Sequence, residues 1–175
     1  MWMRYGPWLS QPRELSQFTR PRIVIREVTG QFPNCLHAVQ VNEQFLNNKS
    51  VLNVLSNNDD ENALGVLTAA LNSKLISLFY KNFAVKGARK IFPKIVIKNL
   101  REFPFPRQVT KSQADRIVSL VDKMLELHKQ RAAAKTPHEQ TALDRQISAT
   151  DAQIDRLVYD LYGLTEDEIK LVDRA

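Results

Sequence analysis

Pro104-Phe105-Pro106 divides this 175-residue chain into two parts whose apolar residues follow different periods. Proline fixes φ, has no amide to donate and pushes the residue before it out of the helical region, so the segment suits neither a helix interior nor a central strand. Ahead of it the apolar residues come in short β-rich runs; behind it they recur every three or four positions. The chain therefore reads as an α/β body over 1–107 and a helical part over 108–175. The expected class is α+β: a small mixed β-sheet with a packed helix, followed by an antiparallel helical hairpin. The length suffices to bury a real core.

In the body, Arg22–Val28 (RIVIREV) and Cys35–Val41 (CLHAVQV) read as strands joined by the turn-like stretch Thr29-Gly30-Gln31-Phe32-Pro33-Asn34, a hairpin. Alternation sends Ile23, Ile25 and Glu27 one way and Arg22, Val24, Arg26 and Val28 the other, so Arg26 projects near the edge of the core. A third strand is expected at Val51–Leu55, after the polar corner Asn47-Asn48-Lys49-Ser50. Asp59-Asp60-Glu61 supplies negative charge at the start of a helix running to about Asn82, with Leu64, Leu67, Leu71, Leu75 and Leu78 at helical spacing. Lys86-Gly87-Ala88-Arg89-Lys90 reads as a loop and Lys94–Lys98 (KIVIK) as a strand. Met1–Thr19, where Gly6, Pro7 and Pro12 interrupt Trp2, Tyr5, Trp8 and Phe18, reads as an irregular strap on the body.

Past the prolines, Ile117, Leu120, Val121, Met124, Leu125 and His128 form one helical stripe and Leu143, Ile147, Ile154, Leu157, Val158 and Leu161 a second. Thr136-Pro137-His138-Glu139 is a capping box with proline at the first helical position. Gly163 is expected to end that helix in the left-handed conformation, and Thr165-Glu166-Asp167-Glu168 to cap a last short one. Stripes of this kind belong to a hairpin packed on the body or on a partner.

Charge separates the two parts as well. Residues 1–107 hold 15 Lys and Arg against 7 Asp and Glu, a net of +8, whereas 108–175 hold 10 against 12, a net of −2. From Lys81 to Arg101 there are seven basic side chains and no acidic one. Phe83, Phe92, Ile95, Val96 and Ile97 interleave with them, so the segment has apolar residues to fold on. Such a surface suits a polyanion; the alternative is a solvated face that keeps the protein soluble. The single Cys35 excludes an internal disulfide framework and fits a reducing cytosol. Secretion and membrane spanning are not expected, for want of a signal-like or membrane-length apolar run.

Catalytic chemistry is hard to find. His37, His128 and His138 lack metal-ligand spacing, and one Cys cannot make a zinc ribbon. With only five glycines there is no phosphate-cradling loop. Neither the Asn/Asp-Pro-Pro-Tyr/Phe motif of adenine methylation nor an Asp…Glu-x-Lys nuclease triplet occurs. If the chain belongs to an enzyme, the reaction is run elsewhere.

Several segments, in order, carry a resemblance. Tyr5-Gly6-Pro7-Trp8-Leu9, Arg20 to Gly30 (RPRIVIREVTG), Leu46-Asn47-Asn48-Lys49-Ser50, Leu71-Asn72-Ser73-Lys74-Leu75-Ile76 and the run from Lys86-Gly87 through Phe92-Pro93-Lys94 to Phe103-Pro104-Phe105-Pro106 resemble the TaqI-like C-terminal specificity domain. Ile154 to Thr165 (IDRLVYDLYGLT) is similar to the ending of such domains and of related restriction–modification proteins. The resemblance implies a non-catalytic target-recognition domain, a C-terminal fragment of a bacterial, cytoplasmic type II restriction–modification N6-adenine DNA methyltransferase. No cofactor is then expected in this chain; S-adenosylmethionine would bind the methyltransferase domain that precedes it. The expected partners are double-stranded DNA and that methyltransferase domain, with no membrane, and a weak homo-oligomer through the helical hairpin is left open.

On this reading Lys49, Lys86, Lys90, Lys94 and Lys98 meet phosphates, which sets affinity and register. Arginine can read guanine, so Arg89 beside Gly87 is the first expected base contact, followed by Arg26 and Asn48. Asn47 and Asn48 equally suit caps of their own turn. Gly87 permits a tight turn with or without DNA, and Trp2, Tyr5 and Trp8 suit packing better than stacking on a flipped base. Two other classes stay open. A protein-interaction module would dock its helical hairpin on a methyltransferase or other subunit without reading DNA, and would expose apolar residues along 115–161. An RNA-binding domain would expose Phe83, Phe92 or Phe105 for stacking.

Overall fold

The computed structural model describes residues 5–84, 94–106 and 108–175. In chain order its elements are α1 (Ser16–Thr19), β1 (Arg22–Arg26), β2 (Ala38–Val41), β3 (Val51–Leu55), α2 (Glu61–Asn72), α3 (Lys74–Phe79) with a π-helical turn over Tyr80–Ala84, α4 (Ile97–Glu102), α5 (Lys111–Ala133), α6 (Pro137–Tyr162) and α7 (Glu166–Arg174). The expected α+β class is observed, but the sheet is not mixed as expected: its described strands are antiparallel throughout, in the order β2-β1-β3.

β1 lies in the centre, Ile23 opposite Gln40 of β2 and Val54 of β3. The expected alternation is corrected: Arg22 and Val24 are buried as well as Ile23 and Ile25, so the strand is covered on both faces and Arg26 alone of its residues is exposed. The strand is shorter than the apolar run. Glu27 donates its N–H to Ser50 O and accepts from Ile95 N–H, and Val28 bridges Lys94, so both residues turn away from β2. The outer edge of β2 is closed by a side chain. Asn72 Nδ2 donates to Ala38 O at 2.8 Å and its Oδ1 accepts from Ala38 N–H at 3.0 Å, a substitute for one step of strand pairing.

The single helix expected as far as Asn82 is two helices bent by 54°. α2 starts where Asp60 accepts from Ala63 N–H and stops before Ser73, whose backbone is extended. Ser73 Oγ donates to Ala70 O and accepts from Ile76 N–H, ending one helix and capping the next. Asp155 of α6 takes the freed Lys74 N–H at 3.0 Å. The strand expected at Lys94–Lys98 is also corrected. Only Lys94 makes a β-bridge, because Asn99 Oδ1 accepts from Val96 N–H and starts α4 at Ile97. No single helix among the described residues is long and apolar enough to cross a membrane.

α2 is buried nearly all round because it separates the sheet from the helical pair. Leu64 and Leu71 pack with Ile23, Ile25, Leu36, Ile76 and Ile95, while Val66 and Ala69 pack with Ile117, Val121, Ile154 and Val158. Gly65 permits the close approach of α5, since a Cβ there would meet Val118 Cγ2 at 2.7 Å. α5 and α6 begin with the capping boxes Thr110/Gln113 and Thr136/Glu139 and run antiparallel, Arg131 pairing with Asp144 at 2.7 Å. Gly163 ends α6 at φ 66°, and the Thr165/Glu168 box starts α7, which packs Ile169 and Val172 on Tyr159. Tyr162 Oη donates to Pro104 O at 2.6 Å, fastening the proline segment to the end of α6.

Candidate functional site

The C-terminal end of β1 gathers residues that lie far apart in sequence. Arg26, opposite Val51, donates its N–H to His37 O at 3.0 Å. The Glu27 N–H to Ser50 O bond, at 2.9 Å, sets the Asn47–Ser50 corner beside it, and the Ile95 N–H to Glu27 O bond, also 2.9 Å, brings the Lys94–Ile95 segment to the same place. α4 starts two residues later, with Lys98 and Arg101 one turn apart and exposed. Arg26, Asn48, Lys49 and Lys94, four of the expected contact residues, are thus brought to one end of the sheet, and Lys98 follows in α4. Lys86, Gly87, Arg89 and Lys90, on which the sequence puts most weight, lie outside the described residues.

The electrostatic state of each side chain differs. Arg26, Lys49, Lys98 and Arg101 have no carboxylate partner among the described residues. Lys94 Nζ is bonded to Glu27 Oε2 at 3.0 Å and remains half-exposed, with donors to spare. Lys81 lies over the Phe32 ring, 5.0 Å from its centroid. Asn48 Oδ1 accepts from Ser50 N–H at 3.0 Å, an Asx turn, so the residue caps its own corner and keeps its Nδ2 donors unengaged among the described residues. Asn47 Nδ2 donates to Val51 O at 3.1 Å, which fixes the corner to the start of β3. Val96 and Ile97 stand exposed next to Lys94 and Lys98, unlike Ile95, which is wholly buried in the core.

Such an arrangement can attract a polyanion and hold its phosphates against a rigid sheet end, with exposed Arg and Asn groups for reading base edges. Sequence reasoning passed over Glu27, whose carboxylate and backbone join the three segments; its position after RIVIR marked it only as a strand residue. A separate groove of about 600 Å³ lies between the body and the helical pair, lined by Leu36, His37, Ala69, Val121, His128 and Asp151. Burial pushes the Asp151 carboxyl up, against the attraction of Lys74 and His128. Among the described residues no group of three or more His, Cys, Asp and Glu side chains could hold a metal.

No curated protein matches the chain. The family model of the TaqI-like C-terminal specificity domain matches residues 2–105, more than half of the chain and nearly all of its basic body. This chain therefore belongs to the TaqI-like C-terminal specificity domain family.

Proposed function

We propose that this chain selects the DNA sequence for a bacterial restriction–modification N6-adenine methyltransferase. It binds duplex DNA through the basic end of its body and has no catalytic centre of its own. The observation that carries the reading is the coincidence of the family match over residues 2–105 with the part of the chain whose net charge is +8. Lys49, Lys94 and Lys98, with Lys86 and Lys90, neutralise phosphates and fix register. Arg89, with Arg26 and Asn48 behind it, reads base edges in the major groove, where a guanidinium fork matches the O6 and N7 of guanine. Methylation requires the adenine to leave the stack, so the domain acts as one wall of a cleft that holds distorted DNA. The other wall is a cytoplasmic methyltransferase domain, the place for S-adenosylmethionine.

A module that docks proteins through its hairpin is the weaker reading. It needs exposed apolar residues along 115–161, and there Ile117, Val121, Ile154 and Val158 are spent on Val66 and Ala69 of the body.

Fluorescence-anisotropy titration with a random-sequence duplex across a salt series tests the proposal. Binding by the chain alone should be weak and should fall steeply with salt, and the Lys86/Arg89/Lys90→Ala variant should lose about tenfold in affinity and flatten the salt slope by about two to three. Absence of duplex binding at low salt, or a variant that binds as well as the parent, would overturn it.

A further inference from the structure

We infer that Glu27 is a positioning residue for the DNA-binding end of the body, an inference that rests on the duplex-binding reading above. On charge alone Glu27 works against that role, since it places a carboxylate on Lys94 at the basic end of the body. Its bonding is turned inward. The backbone N–H donates to Ser50 O and the backbone carbonyl accepts from Ile95 N–H, both at 2.9 Å. The carboxylate Oε2 accepts from Lys94 Nζ at 3.0 Å, with 21% of the Glu27 side chain exposed against 53% for Lys94. Val28, the next residue, forms the bridge to Lys94.

Three segments therefore meet at one residue: the end of β1, the corner that carries Asn48 and Lys49, and the segment that leads from Lys94 into α4 and Lys98. The ion pair fixes Lys94, from which the chain runs on into α4. Ordering cationic side chains before a phosphate arrives lowers the entropy lost on binding, and this gain opposes the Coulomb cost of keeping a carboxylate close to DNA. Positioning and simple charge counting predict opposite signs when the carboxylate is removed.

The test is anisotropy with the same random-sequence duplex across a salt series, on the whole chain and on Glu27→Ala, Glu27→Gln, Lys94→Ala and the double variant Glu27→Ala/Lys94→Ala. Glu27→Ala should weaken duplex binding about threefold although it makes the protein more positive. In the double variant the carboxylate has no ammonium left to position, so it should bind no worse than Lys94→Ala alone. If Glu27→Ala melts early, Glu27→Gln, which keeps the side-chain volume, carries the comparison. A Glu27 variant that binds DNA as tightly as the parent or more tightly, or a double variant that loses a further threefold relative to Lys94→Ala, overturns the inference alone. A parent chain that binds no duplex overturns the proposed function, and the inference with it.

Discussion

Arg22 has no solvent exposure, yet no carboxylate lies within ion-pair distance among the described residues. Its guanidinium donates instead to the carbonyls of Phe18 at 2.9 Å, Arg20 at 3.2 Å, Glu43 at 3.2 Å and Phe45 at 3.0 Å, with the Phe45 ring 4.5 Å away. A buried cation is costly unless its donors are used, and here a fork of carbonyls uses most of them. The arginine thereby binds the 18–20 segment to the 43–45 loop. Arg22→Ala should lower unfolding free energy by about 3 kcal/mol, and Arg22→Lys should recover little, because one ammonium cannot span the fork. Urea unfolding measures both; a lysine variant as stable as the parent would refute the clamp. Alternation in RIVIR made Ile23 and Ile25 legible as core, but Arg22 was not, since two of its acceptors, Glu43 O and Phe45 O, lie 21 and 23 residues away. The Asx turn of Asn48 was legible because its partner, Ser50, is two residues on.

At the scale of elements the same distinction holds. The Thr136/Glu139 and Thr165/Glu168 boxes and the Gly163 terminus are built from neighbours and sit where the sequence puts them. The break at Ser73 was not visible, because the group that takes the freed Lys74 N–H is Asp155, 81 residues from Lys74. Asp155 is buried, and one carboxylate oxygen, Oδ2, lacks a hydrogen-bond partner, with Lys74 Nζ 4.0 Å away. Burial raises its pKa to about 6; the Lys74 N–H lowers it, Asp151 raises it, the Lys74 ammonium lowers it and Asp173 raises it. Because the folded pKa exceeds that of the unfolded chain, the folded state holds the proton more tightly, and this group's contribution to stability falls as pH rises from about 4 to about 6. Two pKa units correspond to about 3 kcal/mol. Asp155→Asn keeps an acceptor for Lys74 N–H without the charge, so it should be more stable than the parent at pH 7.5 by about 1–3 kcal/mol and close to it at pH 4.5. Denaturant unfolding of the two proteins at both pH values isolates Asp155 from the carboxylates of the capping boxes, whose lowered pKa values act in the opposite sense. An asparagine variant less stable at pH 7.5 would contradict the sign.

The whole molecule has three layers, with α2 between the sheet and the α5–α6 pair. Periodicity announced the layers separately, a β-rich body and two helical stripes, and the proline segment marked the passage between them. What joins them was less legible: Gly65 reads as a helix-weakening residue until α5 lies against it. Charge was legible as an asymmetry along the chain, basic before the prolines and slightly acidic after them. The approach of the Asn47–Ser50 corner and of Lys94 to the end of β1 depends on the bonds from Glu27 to Ser50, Ile95 and Lys94, which no local pattern encodes. The proposed division of labour therefore has a place in the fold: DNA at the C-terminal end of β1, with the helical pair as support. Hydrogen exchange followed with and without a random-sequence duplex at low salt would locate the contact. Slowed exchange over 26–28, 48–51 and 94–101, with 143–160 unchanged, is the expected result; protection confined to the helical pair, or none where DNA is bound, would contradict the account.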